Sequence, residues 1–105
     1  MDVFLVTTTV DDRGAADALA GSAVAARLAA CAQVGGPVTS TYRWQGAVET
    51  AAEFAVQFKT AADRVEALVG HVREAHPYEV PEVVVTPVTG GNPAYLDWVV
   101  AETRP

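Results

Sequence analysis

Two alternating runs meet at one glycine turn, and they constrain the fold more than any other stretch of the chain. In VTSTYRW, Val38, Ser40, Tyr42 and Trp44 share one face, while Thr39, Thr41 and Arg43 share the other. In EFAVQFK, Phe54, Val56 and Phe58 alternate with Glu53, Ala55, Gln57 and Lys59. A period of two is the signature of a strand, and Gln45-Gly46 between the runs predicts a tight antiparallel turn. No stop falls between about Val38 and Lys59. The hairpin is therefore expected to be overlong.

The elements around it follow from the same kind of pattern. Val3–Val6 is a short apolar run leading into three threonines, and it reads as a strand buried on both faces. Asp11 or Asp12 can cap an alanine-rich helix over Arg13–Ala30, whose inward face would be Ala16, Leu19, Ala20, Ala23, Val24 and Leu28. Val34–Pro37 marks a bend. Thr60 and Asp63 resemble a capping box for a second helix with an apolar stripe of Val65, Leu68, Val69, Val72 and Ala75. Pro77 disfavours a helical His76 and ends that helix. A fourth strand follows over Val83–Val88, and Pro87 marks it as an edge or an end. Asn92 and Pro93 start a last helix with Tyr95, Leu96, Trp98 and Val99 on its apolar side.

The order is βαββαβ with an extra C-terminal helix, in a single domain over residues 1–105. Right-handed crossovers put both main helices on one face of a four-stranded antiparallel sheet, an α+β ferredoxin-like sandwich. The other sheet face is then expected to be bare and apolar. With an overlong hairpin and Tyr42 and Trp44 to cover, it points to an oligomer.

A net charge of −6 argues against electrostatic binding of nucleic acid and suits attraction of cations. One cysteine excludes an internal disulfide. No apolar stretch is long enough to span a bilayer, and the N-terminus does not read as a signal peptide, so a soluble cytoplasmic protein is expected. Catalytic and cofactor motifs are absent, and neither Ser22 nor Ser40 sits in a glycine elbow, so no catalytic residue is assigned.

Chemistry-bearing residues gather in EAHPYEVPE. His76 at a helix end can face the free carbonyls there, or it can contact a metal together with Glu79 and Glu82. One imidazole and two carboxylates do not build a tight site, so further ligands would come from another strand or subunit. Cys31 is a small buried hydrophobe at the end of the alanine-rich helix, or else a thiol ligand. His71 reads as a solvated surface residue. Tyr42, Trp44, Lys59, Tyr78 and Trp98 are candidates for a ligand cleft or an interface.

Together, VTTT followed by DD, then ARLAACAQV, STYRWQGAVE, EFAVQFKT, HPYEVPEVVVTPV and YLDWV, resemble the CutA proteins, the divalent-cation tolerance family. The match runs in unbroken order over nearly the whole chain. It implies a ferredoxin-like fold, a homotrimer with hairpins reaching between subunits, and a cytoplasmic location. It also implies divalent-metal association, copper in particular, without catalytic activity, in a trimer like that of the PII signalling proteins. Copper ligation proposed in the family uses a cysteine at the position of Thr7 and adjacent histidines at the positions of Ala75 and His76. Only His76 of the three stands here. On this resemblance the chain is a binding protein for a divalent metal or small ligand between subunits; the alternative is a trimeric scaffold or signalling protein with no specific metal site.

Overall fold

The computed structural model describes residues 1–105. Its elements run β1 (Val3–Val10), α1 (Arg13–Ala25), β2 (Cys31–Trp44), β3 (Ala47–Ala61), a short 3-10 turn (Ala62–Arg64), α2 (Val65–Ala75), β4 (Val84–Pro87) and α3 (Pro93–Glu102). The sheet order is β2-β3-β1-β4 and every pairing is antiparallel, as in the expected ferredoxin-like sandwich. No helix is long and apolar enough to cross a membrane.

One core explains the layers. Val6 and Val10 of β1 with Val56 and Phe58 of β3 form the sheet side, and Ala16, Leu19, Ala23, Leu68 and Val72 cover them from α1 and α2. Small side chains on α1 let it lie close to the strands. A second cluster of Val3, Ala30 and Val99 seats α3 at one end.

The hairpin is as long as its alternation implied. Pairing continues from Cys31↔Lys59 to Trp44↔Ala47, closed by Gln45 and Gly46 at φ 48° and 83°. Both positive values are what a two-residue twisted hairpin turn requires. Because β1 ends where Val10 pairs with Phe54, everything from Glu53 to the turn projects beyond the sheet. The projection stretches the molecule to 44 Å along its long axis, against 25 and 21 Å across.

Five expectations need correction. Helix α1 stops at Ala25, five residues early: the Ala26 N–H folds back onto Ser22 and Val24 carbonyls, and Arg27 takes φ 58°. Alanine is the best helix former, but the preference is worth under about 1 kcal/mol per residue, and the Ala30 N–H is instead taken by the Lys59 carbonyl at 2.9 Å, which starts β2. Cys31 is consequently the first residue of a strand rather than the last of a helix. The Val34–Pro37 bend is a bulge inside β2, between Gly35 and Val38, so the strand begins before it rather than at about Val38. Thr60 caps nothing: it remains in β3, and its hydroxyl donates to the Leu28 carbonyl at 2.7 Å, while α2 starts without a side-chain cap.

The fifth correction concerns β1 and the bare sheet face. Strand β1 extends through the threonines, and it buries one face fully rather than both: Val6, Thr8 and Val10 are closed off, whereas Leu5, Thr7 and Thr9 are only half-buried. By register Thr7 lies opposite Gln57, and Leu5 opposite Lys59, on the uncovered side. That face is mostly polar. Exposed apolar groups collect instead on the hairpin and on β4, at Tyr42, Trp44, Val48, Val84 and Val85.

Candidate functional site

The segment after α2 is pinned to the sheet by His76. Pro77 stops the helix as expected, and His76 leaves it with ψ 138°. The residue is 7 % exposed, and both ring nitrogens are used. Nδ1 accepts the Tyr78 backbone N–H at 3.1 Å, so it carries no proton. Nε2 therefore carries the proton and donates it to the Thr9 carbonyl at 2.8 Å. In this arrangement no ring lone pair is free for a metal ion. The imidazole faces a strand carbonyl rather than the helix-end carbonyls, and it acts as a staple between β1 and the loop.

Tyr78 extends the staple. Its ring meets His76 edge-on at 4.6 Å, and its hydroxyl donates to Glu53 Oε2 at 2.9 Å. Burial, then the hydrogen bond to Glu53 and that carboxylate's charge, push the phenol well above the usual tyrosine range. Since the folded value lies above the unfolded one, the bond's stabilisation is complete below about pH 10 and is lost as pH rises through the folded value. Tyr78→Phe should destabilise by about 1.5 kcal/mol at neutral pH, because Glu53 loses its donor. Chemical denaturation of both proteins tests this, and the difference should shrink in strong alkali.

Between the projecting hairpin and this loop lies a cleft of about 760 Å³. Tyr42 and Trp44 wall one side, Tyr78 and Glu79 the other, and Ser40 and Ala51 lie between. Five carboxylates line it, from Asp11, Glu49, Glu53, Glu79 and Glu82, against the single cation of Arg43. The local field is strongly negative. Glu53 and Glu49 belong to it although the sequence singled out neither: Glu53 stood only as a polar-face residue of its strand. Its pairing position opposite Val38, on the same face as Tyr42 and Trp44, was the usable signal.

The other candidates lie elsewhere. Cys31, Lys59 and Trp98 sit near the opposite end of the sheet. Cys31 Sγ is 3.3 Å from the Tyr95 hydroxyl and 4.0 Å from Lys59 Nζ, which also donates to Gln33 Oε1 at 2.9 Å. The Tyr95 hydroxyl is pushed up to about 12, by its contact with Cys31 and then by burial. Trp98 packs on Tyr95 with ring centres 5.6 Å apart. Lys59 lies opposite Leu5, four residues along β1 from the His76 contact at Thr9, or about 13 Å at the strand rise. One chain thus does not bring Cys31 together with His76, Glu79 and Glu82, and no group of three or more histidine, cysteine, aspartate or glutamate side chains is placed to hold a metal ion. His71 is not free surface: its Nε2 lies 2.8 Å from Ser22 Oγ, joining α2 to α1.

Fold and cleft define a class: a ferredoxin-like α+β domain with an elongated hairpin and an acidic, aromatic-walled recess at its base. The profile of the family described as "CutA1 divalent ion tolerance protein" matches residues 4–102. The chain belongs to that family. It is 41% identical over 100 residues to "Protein CutA 1, chloroplastic" of Oryza sativa subsp. japonica, covering 95% of this chain and 56% of that protein. The chain thus spans about half the length of the plant relatives it matches. A "Divalent-cation tolerance protein CutA" of Pectobacterium atrosepticum is 36% identical over 103 residues, 98% of this chain and 94% of its own length. The crystal structure of CutA from Xylella fastidiosa superposes with a TM-score of 0.95 at 38% identity, covering 99% of this chain and 100% of that one. The family description and the Pectobacterium name speak of tolerance to divalent ions, and none of these names describes a catalytic activity.

Proposed function

We propose that the chain works as a homotrimer that collects a divalent metal ion or other small cationic ligand in the acidic cleft, at a junction between subunits. The observation that carries this reading is the hairpin. It projects past the sheet with Tyr42, Trp44 and Val48 uncovered (Val48 is 62 % exposed), and it forms one wall of a cleft lined by five carboxylates. Apolar groups held out on a rigid ribbon are what a second copy would cover, in an arrangement like that of PII trimers.

The residues of one chain do not fit a resident copper ion. Cys31 is remote, Thr7 and Ala75 offer no soft ligand, and the His76 ring is committed to Thr9 and Tyr78. Oxygen-preferring cations suit the cleft better, and a closed coordination shell would need carboxylates from a neighbouring subunit. A second reading, a trimeric scaffold without a specific metal site, is favoured by the His76–Tyr78–Glu53 chain, whose hydrogen bonds are internal.

Native mass spectrometry of the metal-free protein, then with magnesium, zinc or copper, separates the readings. A trimer taking up a defined number of ions, reduced in Glu49→Gln, is expected. A trimer that takes up none favours the scaffold, and a monomer overturns both. Assembly also predicts a melting temperature that rises with protein concentration, by mass action. A cytoplasmic location belongs to this proposal and is testable by fractionation; one structural neighbour, CutA from Archaeoglobus fulgidus, is described as periplasmic (TM-score 0.93, 26% identity, covering 97% of this chain and 99% of that one).

A further inference from the structure

We draw no further inference here: the strongest candidate, the side-chain cluster of Cys31, Gln33, Lys59 and Tyr95 where α3 meets the end of the sheet, rests on a lone cysteine whose polar neighbours are bonded to it or to each other, and nothing in the structure points to a ligand there.

Discussion

Replacing His76 with alanine is expected to lower the unfolding free energy by about 3 kcal/mol while leaving cation uptake by the folded protein unchanged. The residue is 7 % exposed, and its ring does two jobs at once: Nε2 donates to Thr9 and Nδ1 accepts from Tyr78. Alanine removes both bonds and leaves a strand carbonyl and a loop N–H without partners. A buried polar group left unmatched costs about 1–3 kcal/mol, and two are left here. The edge contact to Tyr78 goes too, but His76 is not among the residues that line the cleft, and its five carboxylates keep their places on the hairpin and loop. Urea denaturation gives the stability, and a cation titration of the folded fraction gives the uptake. Unchanged stability with lost uptake would show that His76 binds the ion after all.

Gly36→Ala should be at least as disruptive, by about 3 kcal/mol or more, because two costs coincide. Gly36 has φ 123°, a conformation closed to side-chain-bearing residues. A methyl built there would stand 3.0 Å from the Glu53 carbonyl and 3.0 Å from the Val38 nitrogen, both backbone atoms that cannot swing aside. The bulge lies where the hairpin leaves the sheet, against the Glu53 backbone, so a shift there displaces Glu53. The variant should therefore lose cation binding along with stability. Gly35→Ala supplies the control: nothing lies within 4 Å of its added methyl, so it should cost less than about 1 kcal/mol. Equal effects for the two neighbours would show that composition of the bulge, not its backbone conformation, matters.

What the candidate site shares with the sequence reading is uneven. Tyr42, Trp44, Tyr78, Glu79 and Glu82 were singled out from sequence, and all line the cleft. His76 stood for two readings, a ring bonded to carbonyls or a metal contact, and the ring bonds a carbonyl, though that of a distant strand rather than of its own helix end. A histidine before Pro77 looks available for a ligand because sequence does not say which carbonyl will approach its ring. The Thr9 carbonyl does so across 67 residues. Glu53 drew no attention because one glutamate among strand polar positions looks solvated. It is buried in the fold, where Tyr78, 25 residues away, donates to its carboxylate.

The sequence by itself determined whatever depends on neighbours along the chain. Alternation around Gln45-Gly46 specified the hairpin, Pro77 stopped α2, and Pro87 confined β4 to an edge. The Asn92 side chain, accepting the Ala94 N–H at 3.2 Å, starts α3. These signals act through steric limits and hydrogen bonds a few residues wide. Tertiary structure alone decided where α1 gives way to β2, because pairing of Ala30 and Cys31 with β3 outweighs the small free energy of alanine's helix propensity. It decided that Thr60 bonds Leu28 instead of capping a helix. It also decided that His76 is a staple and Glu53 a buried charge facing a cleft. Each of those outcomes turns on a partner far away in sequence, whose approach is set by the packing of the whole sheet.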